Sequence, residues 1–180
     1  MPKKIAITGP ESSGKTTLAQ QLAKHFNAIW VPEFARTYLT GLNRPYTIED
    51  LGFIAKGQME WESNYSKCAS NIIFCDSDMT VMKIWSEFRF GYCEASIEKA
   101  FENQHYDLTL LCRPDIEWQP DPLRENPRDR EALFERYLKA LEQKKARFEI
   151  IEGDFTMRCN SSIFVIERLL INDSPKSSTK

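Results

Sequence analysis

The run Lys4-Ile5-Ala6-Ile7-Thr8-Gly9-Pro10-Glu11-Ser12-Ser13-Gly14-Lys15-Thr16-Thr17-Leu18 decides the fold. Ile5-Ala6-Ile7 is a short apolar run of strand type. Beyond Thr17, the residues Leu18, Leu22 and Phe26 recur one helical turn apart with Ala19 and Ala23 beside them, which predicts an amphipathic helix. Between the two stands Gly-x-x-x-x-Gly-Lys-Thr, the phosphate-binding P-loop pattern, in the strand, loop, helix order that it requires. Gly9 and Gly14 permit the tight backbone path, and the amides of Glu11, Ser12 and Ser13 can then point inward at phosphate oxygens. Lys15 is expected to reach the outer phosphates of a bound ligand. Thr16 would offer its hydroxyl to Mg2+, and the helix that starts at Thr16 and Thr17 turns the positive end of its dipole on the same anion.

Working outward, the 180 residues fit one domain, here 1–172 followed by a Ser-, Lys- and Pro-containing tail at 173–180 that is expected to be disordered. Hydrophobic residues make up 42% and charged residues 28%, as in ordinary globular proteins. The net charge of -2 gives no electrostatic footprint for nucleic acid. No apolar run approaches the roughly 20 residues of a membrane helix, and Lys3-Lys4 leads straight into a strand instead of a signal peptide. A cytoplasmic protein without membrane or nucleic-acid partners is expected. The five cysteines lack a CxxC pair and read as buried free thiols, and neither histidine is placed for catalysis.

Further along, Ile29-Trp30-Val31 reads as a short strand ending in Pro32-Glu33-Phe34-Ala35-Arg36. Thr47 with an acidic residue at N3 caps a helix from about Ile48 into the sixties. Asn71 to Asp76 and Asp107 to Cys112 are continuous apolar runs, the signature of strands buried on both faces. Helices are predicted through Trp85 to Phe90, closed by Gly91, and over Cys93 to Asn103. Four prolines between Pro114 and Pro127 exclude regular structure from much of that charged segment, read as a lid around 114–130. Asn126-Pro127 then predicts a helix start, Phe148 to Glu152 a fifth strand, and Ser162 to Ile171 a last helix with Asn160-Ser161-Ser162 as its cap. Strands alternating with helices make this an α/β chain: a P-loop NTPase-like three-layer sandwich, with helices on both faces of a five-stranded parallel sheet.

In such a sheet the ligand lies beyond the carboxyl ends of the strands. That rule gathers Lys15 and Thr16, Glu33 and Arg36, Asp76 and Asp78, and the charged segment after Cys112. Phosphoryl transfer uses those types: cations on phosphates, a carboxylate for the metal, a carboxylate for the acceptor hydroxyl, and arginines on the transition-state charge. Asp76 is assigned to the metal with Thr16, and Arg124, with Arg128, to the transferred phosphoryl group.

The same residues carry a resemblance. The phosphate loop, Pro32-Glu33-Phe34-Ala35-Arg36 with Tyr38, Asp76-Ser77-Asp78, and the Glu117-Trp118, Asp121, Leu123-Arg124 segment resemble the kinase domain of NadR-type ribosylnicotinamide kinases over roughly Lys3 to Leu170. The resemblance implies ATP-dependent phosphorylation of the 5'-hydroxyl of nicotinamide riboside to nicotinamide mononucleotide. Glu33 would then orient or deprotonate that hydroxyl, and Arg36, Tyr38, Asp78 and Trp118 would contact the acceptor. Tyr38, Tyr46, Phe53 and Trp118 are candidates to stack on the base. The first strand opens close to the amino end, so the adenylyltransferase and DNA-binding modules of bifunctional members are not expected here. A kinase for another nucleoside, or a regulatory P-loop ATPase, remains an alternative; there is no Asn-Lys-x-Asp segment for reading guanine.

Overall fold

The computed structural model describes residues 1–172; the expected disordered tail lies outside the described residues. The strands are β1 (Lys3–Thr8), β2 (Ile29–Val31), β3 (Ile72–Asp76), β4 (Leu108–Cys112) and β5 (Phe148–Ile151). The helices are α1 (Lys15–His25), α2 (Phe34–Thr40), α3 (Ile48–Cys68), α4 (Met79–Phe90), α5 (Ala95–Asn103), α6 (Arg130–Gln143) and α7 (Phe155–Asn172). All strand pairs are parallel, in the order β2-β3-β1-β4-β5. This is the α/β P-loop architecture expected from the pattern.

Alternation along the buried strands sorts side chains onto two faces. Ile5, Ile7, Phe74, Leu108 and Leu110 meet Leu18 and Leu22 of α1 and Ile166 and Leu169 of α7. On the other face Leu111 joins a cluster drawn from α3, α4, α5 and α6, including Leu51, Ile54, Met82, Ile97 and Phe134, while Ile73, Cys75 and Val31 pack near Trp61 and Tyr106. Helices on both faces bury β1 from Ile5 onward and all of β3, which is why their sequence reads as an apolar run.

Several boundaries differ from expectation. The Glu33 segment enters a helix, α2, whose Phe34 ring occupies the space that a Cβ on Gly57 would need, so α2 and α3 pack with nothing between them. Thr47 and Asp50 form the expected reciprocal cap of α3, and Gly91 at φ 83 closes α4. Helix α6 begins at Arg130 and not at Pro127, because the Asp129 amide closes a turn on the Asn126 carbonyl at 3.3 Å. Helix α7 begins at Phe155, capped by Asp154, whose carboxylate accepts from the Met157 amide at 2.9 Å. Asn160-Ser161-Ser162 therefore lies inside it, not at its cap; the Ser161 hydroxyl donates back to the Met157 carbonyl at 2.9 Å, so it is satisfied within the helix. Cys75, Cys112 and Cys159 are buried as expected, but Cys93 is only half-buried and Cys68 is exposed at the end of α3.

Candidate active site

The phosphate loop runs from the end of β1 to the start of α1, and its conformation explains its glycines. Gly9 has φ 130, and a Cβ there would stand 2.6 Å from the Cys112 carbonyl oxygen on β4. Gly14 has φ 82 and Ser12 φ 54, so three left-handed residues curl the chain around a centre. The Lys15 ammonium lies across that curl, donating to the Gly9 carbonyl at 2.9 Å and the Pro10 carbonyl at 2.8 Å. Ser13 Oγ donates to the Pro10 carbonyl at 2.7 Å and fixes the turn.

Two arginines grip the loop from outside. Arg130 at the start of α6 donates from Nη1 to the Ser12 carbonyl at 3.1 Å and also to Ile116 O. Arg158 of α7, 3% exposed, donates from Nη1 to the Ser13 carbonyl at 2.9 Å, from Nη2 to Arg113 O at 2.8 Å, and pairs with Asp115. Carbonyls drawn outward by cations leave the amides of the same peptides free to face inward at an anion. Neither arginine was singled out by sequence pattern. Arg158 lies between the expected fifth strand and the start expected for the last helix at Ser162, and Arg130 lies inside the helix expected to start at Pro127.

Two carboxylates stand at adjacent strand ends. Asp76 closes β3 opposite Ile7 of β1, is 1% exposed, and has no hydrogen-bond partner on either oxygen. Burial, then the charge of Glu33, pushes its pKa up to about 6, against the pull of Thr16 and Lys15. Glu33 follows β2 at the N-cap position of α2, and its Oε1 accepts from Ser77 Oγ at 3.4 Å. An unpartnered buried carboxylate beside the exposed Thr16 hydroxyl fits a divalent cation. Among the described residues no group of three or more acidic, His or Cys side chains could hold a metal alone. A cation here would take Thr16 and Asp76 together with oxygens of a bound nucleotide and water.

These groups border a cavity of about 510 Å³. Gly9, Glu11 to Thr17, Glu33 and Arg36 line one end; Leu39, Tyr46, Ile84, Trp85 and Phe88 line the other. The wall there is aromatic, with Tyr46 edge-on to Trp85 at 5.1 Å between centroids and to Phe90 at 6.1 Å. Asp50, on α3, anchors that wall: Arg44 donates to it at 2.6 and 2.8 Å, the Thr47 amide at 2.7 Å and Tyr38 Oη at 2.8 Å. The 119–126 segment roofs the cavity. Its Gln119 amide donates to Ser12 Oγ at 2.9 Å, Arg124 Nη1 approaches the same oxygen at 3.4 Å, and the Glu125 and Asn126 amides donate to the Glu11 carboxylate.

Among the expected contact residues, Lys15, Thr16, Glu33, Arg36 and Arg124 converge on this cavity, with Asp76 just beneath it. Arg36 also pairs with Asp121 at 3.0 Å. Four others are placed differently. Asp78 is the N-cap of α4 and is consumed by Thr8 Oγ1 and Thr80 Oγ1 at 2.7 Å and the Val81 amide at 3.1 Å, 2% exposed. Tyr38 turns its hydroxyl to Asp50, Trp118 lies under the Arg130 guanidinium at 5.7 Å, and Arg128 is exposed away from the cavity lining. Of the stacking candidates, Tyr46 lines the cavity and Phe53 faces solvent, 61% exposed.

A family model described as an AAA domain matches residues 4–158. The chain belongs to that AAA domain family. This member is 25% identical over 173 residues to the trifunctional NAD biosynthesis/regulator protein NadR of Salmonella typhimurium, an alignment that takes in 92% of this chain and 42% of the relative. The AAA domain thus spans less than half the length of the curated relatives it matches. It superposes on a crystal structure of NadR in complex with NR with a TM-score of 0.77 at 24% identity, covering 92% of this chain and 51% of that one. It superposes on NadR in complex with NAD and AMP-PNP with a TM-score of 0.76 at 22% identity, covering 93% and 49%.

Proposed function

We propose that this protein is an ATP-dependent kinase that phosphorylates the 5'-hydroxyl of nicotinamide riboside, giving nicotinamide mononucleotide and ADP. The observation that carries the reading is the pairing of two carboxylates at neighbouring strand ends, Asp76 buried beside the Thr16 hydroxyl of the phosphate loop and Glu33 lining the cavity next to it. The similarity to NadR, including structures solved with NR and with AMP-PNP, supports both the donor and the acceptor.

Each group then has a task. The loop amides, with Lys15, hold the β- and γ-phosphates, Lys15 giving up its two carbonyl contacts for phosphate oxygens. Mg2+, held by Thr16 and Asp76, supplies charge neutralisation to the phosphates when bound. Glu33 accepts the proton of the 5'-hydroxyl as its oxygen bonds to the γ-phosphorus and the bond to the β-γ bridging oxygen breaks. Arg124, on a lid formed by the roof segment, faces the charge that grows on the transferred group.

A kinase assay over a panel of nucleosides with ATP and magnesium tests the reading. Turnover should be fastest with nicotinamide riboside; faster turnover of a purine or pyrimidine nucleoside would reassign the acceptor. Two variants test the division of labour. Excess magnesium should partly restore Asp76→Asn but not Glu33→Gln, and the opposite pattern would exchange the two roles.

A further inference from the structure

A glutamate inside a phosphate loop is electrostatically awkward, since its charge repels the anion that the loop collects. Glu11 is occupied differently. Its carboxylate accepts from the Glu125 amide at 3.1 Å and from the Asn126 amide, so that it ties the roof to the donor half of the cavity. The side chain of the same Glu125 reaches the other half, where its Oε2 accepts from Tyr46 Oη at 2.6 Å. Tyr46 in turn accepts from Trp85 Nε1 at 3.0 Å and stands edge-on to Trp85 and Phe90 in the aromatic wall. One lid residue is thus held through its main chain by the phosphate loop and through its side chain by the acceptor wall.

We infer that Glu125 is a positioning residue that couples the two halves of the site: Glu11 and Tyr46 close the lid on it jointly, so nucleotide and acceptor nucleoside each favour binding of the other. This deepens the kinase reading and rests on it. A nucleotide seated in the loop settles Glu11 and the segment that carries Arg124, the residue directly before the Glu125 clasp. An acceptor packed on Tyr46 fixes the phenol that Glu125 must meet. Each ligand therefore prepays part of the ordering of the lid for its partner, which is a coupling free energy and must be reciprocal. A closed lid that needs both ligands also keeps water from the γ-phosphate when no acceptor is present.

Hydrogen exchange of the 119–126 amides tests the clasp directly, in the full chain with AMP-PNP and magnesium, with and without nicotinamide riboside. In the wild type AMP-PNP should slow exchange at Glu125 and Asn126, and the riboside should slow it further. Glu11→Ala should lose about fivefold of the protection given by AMP-PNP, the factor that one hydrogen bond of ordinary net strength confers. Tyr46→Phe should keep the AMP-PNP effect and lose the increment due to the riboside. Exchange from β1 and β3 peptides, unchanged in both variants, confirms that they fold. Variants as well protected as the wild type under every condition would overturn the coupling role. A wild type in which AMP-PNP protects, the riboside adds nothing, and another nucleoside of the panel does add protection keeps the clasp and removes the acceptor assignment.

Discussion

Lys15 shows how a single residue is poised. Its ammonium satisfies itself on the Gly9 and Pro10 carbonyls, contacts that a phosphate oxygen would replace, in the proposed reaction, with a stronger, charge-assisted partner. It packs against no cluster of the core, so Lys15→Met should leave the thermal midpoint near that of the wild type while kcat falls by at least about 10^3-fold. Steady-state kinetics beside a melting curve reads both, and near-normal turnover in a folded variant would remove the phosphoryl-transfer reading. Asp50 works through structure instead. The Arg44 guanidinium first, then the Thr47 amide and Tyr38 hydroxyl, hold its carboxyl well below the usual range despite its burial. A folded pKa below the unfolded one means that the unfolded chain binds the proton more readily, so the stabilisation is full above about pH 5 and is lost as pH falls further. Asp50→Asn should therefore flatten the acid limb of a melting-temperature profile between about pH 5 and pH 2. A limb as steep as that of the wild type would assign acid sensitivity to other carboxylates.

At the scale of elements, the phosphate loop is shaped by helices far from it in sequence. Arg158, buried on α7, spreads its guanidinium over Ser13 O, Arg113 O and Asp115, and its Nε donates to Gly153 O at 2.7 Å. Arg158→Met leaves those acceptors unanswered and should cost about 2 kcal/mol or more in chemical denaturation, with a raised KM for ATP. Arg128→Ala, on an exposed turn, should change neither by more than about 0.5 kcal/mol. Equal effects of the two would mean that α7 does not shape the loop. The contrast marks what was legible in sequence. The strand, loop and helix at the amino end, the apolar runs of β3 and β4 and the Thr47 cap rest on local pattern, and local pattern is visible. The grip of Arg158 on Ser13 joins residues 145 apart, and no periodicity announces such a pair. Asp78 illustrates the converse. It follows Asp76, the last residue of β3, by two residues, yet the turn at Ser77, φ 77, swings it away from the cavity to cap α4. Two carboxylates so close in sequence cannot be told apart until that turn is seen.

The whole molecule divides into a part built to stay and a part free to move. One apolar cluster packs on β1 and β3 together and another on the opposite face of β3, so Thr8, Asp76 and the start of the phosphate loop share one rigid frame. The roof touches that frame by hydrogen bonds and ion pairs: Gln119 and Arg124 on Ser12, Glu125 and Asn126 on Glu11, Asp121 on Arg36. Polar contacts at a surface are individually weak and exchangeable with water, whereas the frame is not. Chemistry that needs the roof should therefore fail without the frame noticing. Arg124 tests this, since its Nη1 stands 3.4 Å from Ser12 Oγ over the loop and it contributes to none of the apolar clusters. Arg124→Ala should shift stability without ligand by no more than about 0.5 kcal/mol. It should lower kcat by on the order of 10^3-fold while leaving KM for the riboside within a few-fold, because a contact made to growing charge acts on rate and not on ground-state binding. A loss confined to KM would make Arg124 a binding residue and the roof a passive wall, and a large loss of stability without ligand would mean that roof and frame unfold together.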